Sequence, residues 1–549
     1  MQEVSNNWKN AHKKTILNES FVEVSLDIAD PEAVSDTTPT QDNGSVYISN
    51  TSNLRDGVDK TPTPYCTLEQ NLWCLDGNRK AIPESDFGDN CYVGDALSDD
   101  TCIFSSKMPV ITIGFGKVFD KLIPGVTITW SPTYNEWADT FVVIAYNGNT
   151  VVAEKEVVGN KSVKSLILTD ISHYDRIEII VKKWCLPHHR ARVEEIFVGL
   201  HKVYGKTDLF DYSHSQSVDP VSLSLPKFEI RFSIDNVNGE YNPHNAKGLD
   251  KYLMERQEIK SRYGLKMDDG SVEWINGGTF YLSEWYAKQN GMTADFTARD
   301  LLEFMSATYH DNDYVNRYSE ITDPNERGRT LYSLAEAVLR SADLPKNGKG
   351  EDKWVINGIP NDIYTKAPLP EDTIANCLQL IANAAECVLY QDREGTLRIE
   401  PLKGSDTDTS QDTDYKIDSF NSYSKSEITL SKPIKQVNVK VYTYTLGEKG
   451  IESSTIEVSN AGEAVVGETI TVDNPLITDT DRANSLASWL VKHLGHRMTL
   501  DSSWRADVRL DALDIVRNEN NYNTNRVRMT DVEFKYNGAF RGTGKGKVI

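Results

Sequence analysis

Lys227-Phe228-Glu229-Ile230-Arg231-Phe232-Ser233-Ile234, near the start of the stretch from Asp219 to Met305, alternates apolar and polar residues without a break. A period of two puts Phe228, Ile230, Phe232 and Ile234 on one face and the polar residues on the other, which is the pattern of a half-buried strand. The strand stops at Asn236-Val237-Asn238-Gly239, a turn-forming cluster, and a short helix is expected from Leu249 to Arg256. Near the N-terminus Val22, Val24, Leu26 and Ile28 alternate in the same way, giving a second strand of the same kind.

Composition bounds the rest. A chain of 549 residues exceeds what one hydrophobic core organises, so about three or four domains are expected. Its 59 basic and 81 acidic residues leave a net charge of -22, a surface that repels phosphate backbones, so specific nucleic-acid binding is not expected. No window approaches the ~20 apolar residues of a membrane span, and Met1–Ser20 lacks the apolar run of a secretion signal, so synthesis in the cytosol is expected. The seven cysteines, Cys66, Cys74, Cys91, Cys102, Cys185, Cys377 and Cys387, include no Cys-x-x-Cys pair, and free thiols are the expected state.

Along the chain, residues 31–64 are rich in Pro, Asp, Thr, Asn, Ser and Gly, the composition of a linker. Short apolar runs then recur, among them Val110–Phe115, Val126–Trp130, Phe141–Tyr146, Ile177–Val181 and Val193–Val198, with turns such as Asn147-Gly148 between them. That spacing predicts a β-sandwich or jelly roll. After Met305 the period lengthens: Leu331, Leu334, Ala335, Val338 and Leu339 line one helix behind Thr330 as N-cap, and Ile374, Cys377, Leu378 and Ile381 line another. Val388–Tyr390 and Leu397–Ile399 flank a turn as a hairpin, so this region is α+β. Val437, Val439 and Val441 open a further β section, interrupted by a helix that Thr478 is expected to cap and Gly495 to end. The chain closes on strands, the last carrying Gly542, Gly544 and Gly546 on one face, where a neighbouring backbone must come close.

DPVSLSLPKFEIRFSIDNVNGEYNPHN (219–245), WINGGTFYLSEW (274–285) and FTARDLLEFM (296–305) together resemble the tail-hub or baseplate proteins of phages and prophages of Gram-positive bacteria. The resemblance covers residues 206–549 and, more weakly, the first strand. It implies a multidomain, β-rich α+β chain divided as 1–30, the N-terminal strand of a first hub domain; 31–64, linker; 65–205, an inserted module; 206–310, the first hub β domain; 311–432, an α+β domain; and 433–549, a second hub domain. The two hub domains, Asp211–Ala298 with the first strand and Pro433–Ile549, are expected to be β-barrel-like around a channel. The function implied is structural and not enzymatic: a virion protein at the distal end of the tail, joining tail tube to distal tail, tape-measure or fibre proteins. A homo-oligomeric ring follows, a trimer with a hexamer as the alternative. Long alternating strands supply the physical reason, because their edges need partners. Subunit contacts are assigned on that basis to Phe228, Ile230, Phe232, Phe280, Leu282, Trp285, Val437 and Val439.

The module resembles galactose-binding-like, discoidin-type domains through Ile111–Phe115, Val126–Glu136, Tyr174–Trp184, Arg190, Arg192 and Glu195-Ile196. A host cell-surface glycan is the ligand this implies. Trp73, Trp130, Tyr134, Trp137 and Trp184 offer flat faces suited to sugar rings, and Lys117, Arg190 and Arg192 offer polar contacts. No calcium-loop pattern accompanies them, and neither metal nor cofactor is expected. His493 and His496 lie three apart without the glutamate of a metalloprotease helix, and the glycine-lysine run at 542–547 lacks phosphate-loop spacing. The rival readings are a tail-associated enzyme that degrades cell wall, which needs a clustered carboxylate pair, and a host-glycan adhesin working through residues 65–200.

Overall fold

A computed structural model describes residues 1–549 apart from 15–16, 41–45, 47, 55–63, 75–76, 81–89, 247, 288–290, 313–327, 348–349, 360–361, 405–407, 448–449, 463 and 506. Strand accounts for 48% of the chain and helix for 13%, so the class is β-rich and multidomain. Among the described residues, three hydrophobic cores organise it.

The first core lies under one sheet of 13 strands. In chain order they are β1 (Ser20–Ile28), β2 (Leu200–Tyr204), β3 (Leu209–Ser217), β4 (Lys227–Asp235), β5 (Glu258–Lys266), β6 (Val272–Ala287), β7 (Thr293–Arg299), β8 (Asp412–Ile417), β9 (Glu427–Leu430), β10 (Met498–Arg505), β11 (Ile515–Glu519), β12 (Thr524–Tyr536) and β13 (Phe540–Val548). In space the order is β2-β1-β5-β6-β7-β4-β3-β12-β13-β10-β9, with β11 bonded to β12 and β8 to β11. Phe228, Ile230, Phe232 and Ile234 all turn into this core, as their alternation requires. Between Leu249 and Arg256, where a helix was expected, there is a single 3₁₀ turn at Asp250–Tyr252.

The expectation of barrel-like units is corrected here: among the described residues no barrel closes. Strand β3, whose outer edge a first barrel would need for closure, spends it on β12, antiparallel from Tyr212 opposite Tyr536 to Ser217 opposite Asp531. The two halves therefore share one open sheet.

Gly544 on β13 shows why glycine repeats there. A Cβ at that position would stand 2.4 Å from the Asp531 carbonyl oxygen and 2.9 Å from Met529 Cε, and backbone cannot retreat as a flexible side chain can. Gly544→Val is expected to open the β12–β13 pairing at a cost of about 3 kcal/mol, the upper end for overpacking. Amide exchange across Met529–Phe534 checks it, since protection equal to wild type would show that the close approach is not needed.

The second core joins helices Leu331–Ser341, Ile374–Ala384 and Thr480–Leu494 to strands Cys387–Gln391 and Ile434–Gly447. Thr330 caps the first helix by accepting from the Ser333 amide. Asp479, not Thr478, caps the third, accepting from Asp481 and Arg482. Val437 and Val439 pack here, so 434–494 belongs to the helical core and 498–548 to the large sheet.

The third core spans Ala33 to Val198. A sheet ordered Thr38–Thr40, Val110–Phe119, Tyr174–Trp184, Ala138–Asn147, Thr150–Val158 faces a smaller one of Glu195–Phe197, Ile123–Thr129 and Lys164–Ile171. Within the stretch read as a linker, Pro31–Asp36 is helical, Thr38–Thr40 pairs with Val110–Phe119, and Ala33 and Leu54 sit fully inside this core. The chain leaves β1 after Ile28 and returns at Leu200, its register partner on β2, so the whole unit hangs from adjacent points.

Candidate functional site

Charged side chains are gathered out of water in the β module and beneath the large sheet, among other places. In the module, strand Arg190–Val193, the loop around Glu69 and the turn at Ser131–Glu136 converge. Glu69, Glu136, His189 and Arg192 are all at most 5% exposed. Arg192 grips Glu69 with both terminal nitrogens, Nη1 to Oε2 at 2.9 Å, and its Nη1 lies 3.7 Å from Glu136 Oε2. Glu136 also accepts from Trp184 Nε1 at 2.8 Å and meets His189 Nδ1 at 2.9 Å. Burial alone would raise the Glu69 carboxyl, but the Arg192 charge and hydrogen bonds bring it below its ordinary range. Bidentate pairing of this kind fixes geometry as well as charge.

The expected sugar-binding residues scatter around this cluster. Trp130 and Trp184 are 0% exposed and cross edge to face, centroids 6.1 Å apart. They are core residues, which corrects their assignment as ligand platforms: Trp184 ends its strand on the inward phase and Trp130 follows directly on Ile123–Thr129, both buried where aromatic area is worth most. Trp137 packs half-buried against the same core. Tyr134 lies between Arg192, 4.5 Å from its ring centre, and Arg79, at 5.2 Å, and its hydroxyl accepts from the Tyr65 amide. Arg190 spends its guanidinium on the carbonyls of Gly94 and Asp95. Of the five aromatics only Trp73 stands mostly in solvent, 57% exposed. Three segments of the module carry further exposed apolar side chains: Leu68 on the same loop, Leu97 and Ile103 on another, and Leu186 on a third. Hydrogen bonds from His188 N to Ser98 O and from Ser98 Oγ to Leu186 O join the last two.

The second place is a cleft of about 580 Å³ between β3, β6, the Asp392–Gly395 turn and the loop at Asp511–Asp514. Arg393, 3% exposed at its side chain, donates Nε to Asp511 Oδ1 at 2.6 Å, Nη1 to Asn276 O at 2.9 Å, and Nη2 to Val508 O and Leu510 O at 2.8 and 2.9 Å. Gln216 Nε2 donates to the same carboxylate at 3.1 Å. Burial pushes His214 down to about 3, helped by the Arg393 charge, so the ring stays neutral; its Nδ1 meets Tyr263 Oη at 2.7 Å, and Tyr263 meets Tyr212 Oη at 2.8 Å. These groups are saturated with one another. The arrangement ties a sheet, a turn and a loop together, which is structural work. Sequence reasoning did not find this network, nor Glu69, Glu136 and His189, because their separations along the chain have no local period.

The expected subunit-contact residues lie mostly inside the monomer. Ile230, Leu282, Val437 and Val439 are 0% exposed, Phe232 and Phe280 2%, and Phe228 7%; Trp285 is half-buried. The edge argument for β4 is corrected by β3 and β7, which bond its two sides within the same chain. Among the described residues, like β2, bonded only to β1, and β8, bonded only to β11, strand β9 keeps an open edge, bonded only to β10. All four of its residues are exposed, Ile428 at 56% and Leu430 at 61%, with Phe420 at 53% and Tyr423 at 56% beside it.

No protein-family model matches the chain, and no curated protein does. Among solved structures, the chain is similar to the 43 kDa tail protein of prophage MuSo2 from Shewanella oneidensis at 12% identity and a TM-score of 0.40, covering 63% of this chain and 95% of that one. A tail protein from Neisseria meningitidis MC58 gives 12% identity and 0.41, over 64% and 94%. Prophage tail protein gp18 from Listeria monocytogenes EGD-e gives 11% and 0.37, over 63% and 91%.

Proposed function

We propose that this chain is a structural virion protein of a phage tail: a baseplate or tail-tip hub subunit that joins the tail tube to distal adhesion or penetration proteins. The observation that carries the reading is the open β9 edge. Ile428 and Leu430 stand opposite Leu500 and Met498 on β10, and Leu500 is 2% exposed, so the core-side face of the sheet runs past its own cover and out to a strand bonded on one side only. Soluble proteins blunt such edges unless another chain completes them. The resemblance over residues 219–305 supplies the kind of assembly, a homo-oligomeric ring with a trimer favoured, and the placement at the distal tail.

On this reading the unit at 65–205 is an appendage offering its exposed loops, Trp73 among them, to a glycan of the host surface, while the scaffold has no catalytic task. The ring is tested by native mass measurement of the full chain. Oligomers are expected, and Leu430→Arg is expected to weaken their association at least tenfold, about 1.4 kcal/mol, without shifting the thermal midpoint. A monomer at every concentration would overturn the reading.

A further inference from the structure

His189 is 3% exposed, and its Nδ1 meets the Glu136 carboxylate, Oε1, at 2.9 Å. The charges buried around the ring decide its protonation state. The carboxylates of Glu69 and Glu136 are matched inside the module by Arg192 and one more cation, and four such buried groups sum to zero only when His189 holds its second proton. The remaining charges nearby lie outward: Arg190, its Nε 3.8 Å from Glu69; Arg79, beyond the Tyr134 ring; and the exposed pair of His188 with Asp100 at 2.8 Å.

What the cluster holds is the loop at 66–74. Glu69 binds Arg192 and accepts from the Arg190 amide at 2.8 Å. Gln70 donates its amide to the His188 carbonyl at 3.5 Å, and His189 reaches the loop through Glu136, whose Oε2 lies 3.7 Å from the Arg192 Nη1 that binds Glu69. Leu72, 5% exposed, is the loop's apolar anchor, while Leu68 and Trp73 point outward at 90% and 57%.

We propose that His189 is a buried imidazolium that latches this loop onto the module, and that losing the proton at alkaline pH releases the loop and the Leu68–Trp73 surface it carries. Burial opposes the charge, yet the hydrogen bond to Glu136 and the charges of Glu136 and Glu69 hold His189 above its ordinary value. A histidine raised in the folded state contributes stability that is complete below about 6.5 and is lost as pH climbs through the raised value. The latch concerns loop order and stands whether or not the surface takes a sugar.

Hydrogen exchange on the full chain between pH 6 and 9, corrected for intrinsic rates, tests it. Protection of residues 66–74 is expected to be level at the acid end and then to fall by up to about tenfold per pH unit, the slope of one proton. Protection elsewhere in the module is expected to hold. In Glu136→Gln the fall is expected to begin about one to three pH units lower, because an opposite charge has gone. Level protection to pH 9, or the same onset in the variant, would overturn the latch. Should the variant not fold, nitrogen-15 imidazole spectra of the wild type decide: His189 protonated on both nitrogens at pH 7 supports the latch, and a single neutral tautomer overturns it.

Discussion

Arg393→Ala is expected to be among the most damaging single substitutions in the large sheet, at about 3–5 kcal/mol, the range for breaking a buried ion pair from one side. The guanidinium engages four acceptors on two chain segments: Asn276 on β6, and the carbonyls of Val508 and Leu510 with the Asp511 carboxylate on the following loop. Alanine leaves all four out of water with nothing to bind. The pH dependence distinguishes this cause from simple loss of packing. In the wild type, burial would raise Asp511, but the charges of Arg393 and the N-terminal ammonium, with the hydrogen bonds from Gln216 and Arg393, together hold the carboxyl below its ordinary value. That contribution is complete above about 3.9 and is lost only as pH falls through the lowered value. In the variant the burial effect loses its main opponent, the Asp511 value climbs, and ionised Asp511 becomes a liability that grows as pH rises. The deficit against wild type is therefore expected to be larger at pH 7 than at pH 4, by calorimetry of the full chain. Arg393→Lys, which restores charge but not the fork, should recover the pH profile better than it recovers the stability. A deficit equal at both pH values would mean that Asp511 is not held by this partner.

Periodicity was legible where a face is buried along one element. Phe228 to Ile234 lie on the inward phase they show in sequence, and Thr330 caps the helix that its position announces. What failed to show is whatever depends on segments far apart in the chain. Nothing local in Tyr212–Ser217 signals pairing with Asp531–Tyr536, so one open sheet reads as two separate units. Aromatic residues mislead for a related reason: Trp130 and Trp184 carry the same ring whether it faces sugar or core, and only the second sheet decides. The Thr478 cap fails by one residue because Asp479 accepts from two amides where a threonine hydroxyl would serve one. Edges are the hardest to read. Strand β4 looks exposed in isolation and is bonded on both sides, whereas the short β9, with only two apolar residues, is among those left open on one side.

Trp184→Ala is expected to unfold the β module while leaving the large sheet standing. The residue is 0% exposed, packs edge to face on Trp130 and donates Nε1 to Glu136 at 2.8 Å. Deleting the indole costs about 3–5 kcal/mol in cavity and lost transfer energy, and Glu136 additionally loses a donor where water cannot replace it. Trp184→Phe keeps much of the volume and loses the donor, so its smaller cost isolates the hydrogen bond. The damage should stay local because the module and the sheet bury different sets of side chains and the module is suspended from neighbouring positions, Ile28 and Leu200, on paired strands. A unit attached in that way can lose its order without pulling its host strands apart. Calorimetry is then expected to resolve an early transition that moves with the substitution and a later one that does not, and proteolysis below the second should cut within 92–198 while β3–β7 and β10–β13 survive. A single transition displaced as a whole would show instead that the β1–β2 pair transmits the module's stability into the sheet, and the module would then be a structural wedge of the scaffold, not an appendage to it.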